Sequence, residues 1–234
     1  AVGLLAAERH RRLTGNGQLV RIALADVALA TACHLGNIAE VMVNNEDRQK
    51  IGNYLYGAYG KDFKTCDGRC VMIVALTLRQ WKSLVNAVGV REQVLALESR
   101  LGLDLDAEGN RFLARKEITG ILEPVIGACT LSQLEDKFSA AGVCWGPYQS
   151  FRQLLEEDPA CSPQNPMFHM LEQPGIGKYL TPGSPLVFSG AERLRPRPAP
   201  ILGADTDEIL SELLGLGSAE IARLHDQKVV AGPG

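Results

Sequence analysis

The sequence predicts an α/β fold, and three observations predict it. A continuous apolar run from Val71 to Leu76 follows an Asp67-Gly68 turn and leads directly into a Thr77/Gln80 capping pattern, as a strand passing into a helix does. Further stretches carry apolar residues at helical spacing between short β-branched pieces, and the most apolar of the early ones, Leu19 to Leu35, is interrupted by Arg21 and Asp26 well short of a membrane span. With 234 residues, 46% of them apolar and 22% charged, the chain can bury a sizeable core.

Residues 1–13 are rich in Ala and Leu with Arg11 and Arg12 near their end, the composition of a helix with a cationic last turn, and the TGNG of Thr14 to Gly17 stops it. Val20 and Ile22 read as a short strand that passes into an Ala-rich helix reaching about Val43. Asn44 to Lys50 is a polar linker. The next nine residues, GNYLYGAYG from Gly52 to Gly60, hold three Gly and three Tyr, a mixture that suits neither a core helix nor a core strand. From Asp62 a hairpin turns at Asp67-Gly68, with Cys66 and Cys70 as half-buried thiols; a zinc site there would need a second pair or a nearby His. The helix capped by Thr77 ends near Gly89, and helical stretches follow around 91–101, 111–128 and 132–141, the last with Ser132 and Glu135 as its capping box and Gly142 as its stop.

Gly142 to Tyr148 is extended, and Gln149 to Pro159 contains another helix. Residues 158–200 hold most of the twelve prolines and read as an extended connection with one or two strands, in which Phe168, Tyr179, Leu186, Val187 and Phe188 are expected to be buried. Two short helices close the chain. Asp205 and Glu208 have capping-box spacing before a Gly215 stop, and Ser218 is the expected N-cap of the last helix.

A net charge of −3 and the lack of any Lys/Arg run argue against a nucleic-acid surface. Six cysteines scattered through a chain too large to need disulfide staples suggest reduced thiols and a cytoplasmic setting. The sequence has no G-x-S-x-G, Walker A, H-E-x-x-H or G-x-G-x-x-G, so generic motifs assign neither a metal nor a nucleotide cofactor. Its four His, at 10, 34, 169 and 225, are far apart and read as surface or helix-end residues. Asp26 reads as a capping residue at a strand-to-helix junction.

Three separated segments resemble one family. LLAAERHRRLTGNGQLVRIALADVAL resembles the helix, T-G-x-G-Q turn and strand of class III CoA-transferases, the CaiB/BaiF family. DGRCVMIVALTLRQWKSLVNAVG is similar to that family's second-domain strand and helix, and APILGADTDEILSELLGLGSAEIARLHDQKVVAG to its C-terminal signature. The resemblance implies a partial Rossmann-like large domain built from both chain ends, 1–45 and 175–234, with a small α+β domain at 62–148 inserted between them. Residues 46–61 would then be a linker with the Gly/Tyr loop, 149–174 a return linker, and two subunits would interlock as a homodimer.

The resemblance also implies a reaction: CoA transfer between carboxylates of an acyl-CoA thioester, with CoA as part of the substrate and no separate cofactor, metal, nucleic acid or membrane. GNYLYGAYGKDF looks most like members performing intramolecular C1–C4 transfer on 2-methylfumaryl-CoA. In relatives a glycine-containing loop before this strand covers the acyl site, which implies that Gly52, Asn53, Tyr54, Gly57 and Tyr59 line the acyl pocket, their amides and hydroxyls facing substrate oxygens. The family's nucleophilic Asp lies before the first helix. Its position would fall upstream of residue 1, none of Asp26, Asp47, Asp62 and Asp67 matches it, and the chain, which opens without Met, reads as the C-terminal part of such an enzyme. Apolar residues of 1–45 are then expected to stand exposed. The alternatives are another class III transfer or 2-methylacyl-CoA racemisation, and a non-catalytic dimerisation or scaffold module.

Overall fold

The computed structural model describes residues 1–233. Backbone packing divides them into two compact units, residues 1–63 with 72–145, and residues 64–71 with those from 146 onward. The first unit opens with α1 (Val2–Thr14), α2 (Leu24–His34) and α3 (Asn37–Asn44), none of which has a buried residue. The expected strand at Val20 and Ile22 is not formed. Those residues lie in irregular, exposed chain, because β-branched side chains make a strand only where a neighbouring strand completes the hydrogen-bond ladder. The helix expected to continue to Val43 is divided at Gly36. Leu4, Leu5, Leu24, Leu29, Met42 and Val43 all stand in solvent, in line with the expectation for this segment.

β1 (Tyr59–Lys64), β2 (Cys70–Ala75) and β3 (Cys144–Tyr148) form a sheet in the order β1-β2-β3. The central place of β2 explains its uninterrupted apolar run: Val71, Ile73 and Ala75 are fully buried, and the residues between them are half-buried on the other face. Next come α4 (Leu78–Val88), α5 (Arg91–Leu101), α6 (Glu108–Leu113), α7 (Arg115–Gly127) and α8 (Leu131–Ala141). Thr77 and Gln80 close the predicted capping box of α4, which buries Trp81, Leu84 and Val85. The single helix expected over 111–128 is two helices that meet at Ala114. The cap of α8 is Thr130 with Gln133, two residues before the Ser132/Glu135 pair. Both pairs have the right spacing, and the earlier one encloses Leu131 in the helix while Leu134 and Phe138 face the core.

Ile118, Leu122 and Ile126 form the buried face of α7, each removed fully from water. Burial of one such side chain stabilises the fold by about 1.5–3 kcal/mol. Beneath the same core lies Arg111, wholly buried, whose guanidinium donates to the carbonyls of Leu105 (2.9 Å), Asp106 (2.9 Å) and Leu76 (2.7 Å). Burial lowers its pKa, yet three carbonyl dipoles supply the negative ends that a carboxylate would otherwise provide. Arg111 thereby pins the end of β2 to the loop before α6.

In the second unit, Thr65 and Arg69 close the hairpin around Asp67-Gly68, with Cys66 exposed and Cys70 half-buried. Ser150 and Gln153 cap α9 (Phe151–Glu157) in a box of their own. β4 (Phe168–Gln173) and β5 (Gly177–Pro182) pair antiparallel from Phe168↔Pro182 to Gln173↔Gly177. The side-chain amide of Gln173 then holds the proline-rich strand that follows, accepting from the Ala199 amide (2.7 Å) and donating to its carbonyl (3.2 Å). Tyr179, Leu186, Val187 and Phe188, expected to be buried, are exposed, since a two-stranded ribbon has no second layer to cover its face. Of that group only Phe168 is half-buried. In α10 (Thr206–Glu212) Asp205 holds the cap position without a side-chain bond, and Gly217 rather than Ser218 caps α11 (Ser218–Asp226). His225 of α11 bonds Asp207 of α10 at 2.7 Å.

Candidate functional site

The Gly/Tyr segment forms the loop between α3 and β1. It makes two turns, at Gly52-Asn53 and Tyr56-Gly57, and both glycines have positive φ (65° and 79°) with open space where a side chain would begin. The loop closes on itself where the Leu55 amide donates to the Gly60 carbonyl at 2.9 Å. Gly60 is needed for a different reason: a Cβ there would lie 3.0 Å from Leu55 Cβ and 3.2 Å from the Ile73 carbonyl oxygen.

The three tyrosines have three different tasks. Tyr59 is completely buried, its ring edge against Trp81 at 6.1 Å, and burial raises its pKa far above the ordinary tyrosine value. Its hydroxyl lies 3.0 Å from Thr119 Oγ1, and Tyr54 Oη lies 3.1 Å from that same oxygen. Thr119 has one proton, and it goes to the Arg115 carbonyl at 2.8 Å. Both tyrosines must therefore donate to Thr119, and both donors are spent inside the protein. Tyr56 Oη donates to Glu40 Oε1 at 2.7 Å, while the Arg48 guanidinium lies 3.8 Å over its ring and also binds Glu40. The Phe112 ring packs against Tyr56 at 5.0 Å. The Tyr56 hydroxyl and then Arg48 hold the Glu40 carboxyl below the usual glutamate range, and the bond to Glu40 pushes the Tyr56 phenol up.

Tyr54 is half-buried, and two cations approach its ring. Lys61 Nζ of β1 and the Arg115 guanidinium at the start of α7 each lie 5.8 Å from its ring centroid. Lys61 also approaches Phe63 at 5.3 Å, and Arg115 approaches Phe112 at 4.4 Å. Arg115 Nη1 donates to the Phe112 carbonyl at 2.8 Å, whereas its Nε is shut off from water without a partner. A small hollow of 190 Å³ beside the loop takes in Glu40, Asp47, Arg48, Tyr56, Phe112 and Arg115. A larger one of 320 Å³, between α4 and α5, takes in none of the loop.

The structure thus gathers Tyr54 and Tyr59 at one threonine and leaves Gly52, Asn53 and Gly57 at the surface, with Tyr59 beneath the loop rather than on its open side. Thr119, Lys61 and Arg115 were not among the residues that the sequence singled out. Thr119 is 60 and 65 residues from its tyrosines, and a lone Thr on an apolar helix face gives no local signal of that role. Among the described residues no three His, Cys, Asp or Glu side chains could hold a metal ion together, and no helix is long and apolar enough to cross a membrane.

The family model of CoA-transferase family III matches residues 1–206. The chain is 58% identical over 233 residues to 2-methylfumaryl-CoA isomerase of Chloroflexus aurantiacus, covering 100% of this chain and 57% of that protein. It is 25% identical over 230 residues to the succinyl-CoA–L-malate CoA-transferase alpha subunit of Chloroflexus aurantiacus, covering 98% of this chain and 52% of that one. Its fold is similar to the crystal structure of a CaiB/BaiF family protein from Brucella suis, with a TM-score of 0.63 and 20% identity across 91% of this chain and 52% of that one. The Mycobacterium tuberculosis protein Rv3272 gives a TM-score of 0.60 and 20% identity across 83% and 48%. The chain spans about half the length of the curated relatives it matches.

Proposed function

The chain belongs to CoA-transferase family III, and on that premise we propose that the protein, at its relatives' full length, moves coenzyme A between C1 and C4 of 2-methylfumaryl-CoA. The observation that carries this reading is the 58% identity to 2-methylfumaryl-CoA isomerase, sustained over 233 residues. In the reaction an aspartate carboxylate attacks the thioester carbonyl carbon. A C–O bond forms, the C–S bond breaks, CoA leaves as thiolate and a mixed anhydride remains. The thiolate then attacks the aspartyl carbonyl, releasing the diacid and leaving an aspartyl-CoA thioester. The diacid's other carboxylate attacks that thioester and expels CoA thiolate, which attacks the C4 carbonyl of the new anhydride to form the product thioester and free the aspartate. That aspartate belongs to a segment preceding α1 in the family, and none of Asp26, Asp47, Asp62 and Asp67 is assigned to it.

This chain supplies the cover of the acyl site. Gly52, Asn53, Tyr54 and Gly57 line the pocket, the glycine turns bringing backbone amides close to a thioester oxygen. Tyr59 supports them from below through Thr119. Residues 1–45 and 175–234 belong to a Rossmann-like large domain, 62–148 to a small domain, 46–61 and 149–174 connect them, and two subunits interlock. The exposed apolar faces of α1–α3 support this arrangement. The enzyme works in the cytoplasm and needs no cofactor besides the CoA of its substrate.

The test is to incubate the protein at its relatives' full length with 2-methylfumaryl-CoA and separate the thioester isomers by liquid chromatography. Conversion to the C4 thioester without any added acid is the expected result. Turnover only with an added acceptor such as L-malate would replace the intramolecular reading with an intermolecular one. A protein that converts no CoA ester would end the catalytic reading.

A further inference from the structure

We propose that Lys61 and Arg115 clamp the free carboxylate of a dicarboxylyl-CoA substrate beside Tyr54, and so select diacid thioesters over neutral ones; this rests on the acyl-pocket reading above. A substrate with a thioester at one end and a carboxylate at the other needs a fixed cation about one acyl chain away from the reacting carbon. The tyrosine hydroxyls cannot take that task, since Tyr54 and Tyr59 both donate to Thr119 and Tyr56 donates to Glu40.

Two cations from different elements, β1 and the first turn of α7, approach the same Tyr54 ring, each 5.8 Å from its centroid. Both are half-buried, and among the described residues neither forms an ion pair with a carboxylate. The contrast with Arg48 is direct. That guanidinium also lies over a tyrosine of the loop, but Glu40 neutralises it. Arg115 spends one N–H on the Phe112 carbonyl and its Nε is shut off from water, so only its remaining Nη hydrogens are left for a carboxylate. A guanidinium with donors to spare presents the planar fork that fits a carboxylate, and a half-buried cation held only by ring faces gains from an anion. At Gly52 and Gly57 the loop meets open space where a side chain would begin.

The experiment is isothermal titration calorimetry on the protein at its relatives' full length, with 2-methylfumaryl-CoA and with 2-methylbut-2-enoyl-CoA, which has a methyl group where the diacid has its carboxylate. Lys61→Met and Arg115→Met are each expected to weaken the diacid thioester about 10-fold, the loss of one charge-assisted contact. Binding of the neutral thioester should stay within about 2-fold of the parent. Arg115→Lys, which keeps the charge and loses the fork, should fall between. Lys61 lies on β1, an edge strand of its sheet, and is half-buried, so its variant serves if Arg115→Met does not fold. Equal weakening of both thioesters, or no weakening of either, would overturn the proposal. If the parent isomerises 2-methylfumaryl-CoA and the variants bind it unchanged, the clamp fails and the function stands. If the variants lose diacid binding while the parent isomerises nothing, the clamp stands and the function fails.

Discussion

Residues 2–44 belong to the first unit, as do most of residues 59–143, and both stretches are rich in apolar helices, yet one buries nothing and the other holds almost the whole core. α1, α2 and α3 have no buried residue, whereas the buried apolar side chains run from Ala58 to Val143, with Ile221 the exception. Propensity makes a helix in either place. What distinguishes the two is a surface to pack against: α4 packs against α5, α7 and α8 and buries its apolar face, beside a sheet whose central strand is apolar on both faces, while the first three helices bury no residue. Apolar composition creates a demand for burial, and only a partner fulfils it.

The strongest way to break this contrast is to truncate one leucine in each stretch. Leu122→Ala, in the fully buried face of α7, is expected to cost about 2–5 kcal/mol of unfolding free energy in urea titrations. Leu29→Ala, at a position 59% exposed, should stay within about 0.5 kcal/mol. A large loss from Leu29→Ala in this chain would mean that α2 has a buried contact the structure does not show. In the protein at its relatives' full length, the same substitution sharpens the comparison, because a covering domain would raise its cost toward that of Leu122→Ala.

A smaller effect probes the seam between exposed loop and buried core. Thr119→Val removes the acceptor shared by Tyr54 and Tyr59 and should cost about 2–3 kcal/mol, while Tyr59→Phe, which leaves Tyr54 its partner, should cost about 1 kcal/mol. Similar losses from the two variants would mean that Tyr54 contributes nothing through Thr119.

The smallest effect is electrostatic and sits on the exposed side. Glu40 has its pKa depressed by Tyr56 and then Arg48, so its contribution is complete above the ordinary glutamate pKa of 4.5 and is lost as pH falls through the lower folded value. Amide protection factors in residues 46–57, which correct for the intrinsic pH dependence of exchange, should therefore fall in that acid range, while those in β2 do not change. A loop whose protection factors fall already near neutral pH would show that Glu40 is not its latch.

The legible parts of this fold are those whose instructions lie within four residues. Thr77 and Gln80 name their helix start, Asp67-Gly68 names its turn, and the run from Val71 gives a strand covered on both faces. The misread parts needed a partner distant in sequence. Val20 and Ile22 found no neighbouring strand, and Phe188 had no layer to sit under; the cap of α8 was misread for another reason, two equally spaced local pairs competing for it. The candidate site divides the same way. Its glycines and tyrosines announce a special loop, but which tyrosine faces the core is settled by Thr119, and Lys61 and Arg115 gain meaning only once β1 and α7 bring them to Tyr54.

Thr119 also sets the order in which this loop can be made. Tyr54 leaves the ribosome 65 residues before the side chain that fixes it. At about 5–20 residues per second, the loop waits roughly 3–13 s for its anchor to be synthesised. Until α7 exists and docks, Tyr54 and Tyr59 have no shared acceptor to arrange them, so this part of the loop is fixed only once the chain has been made at least as far as α7.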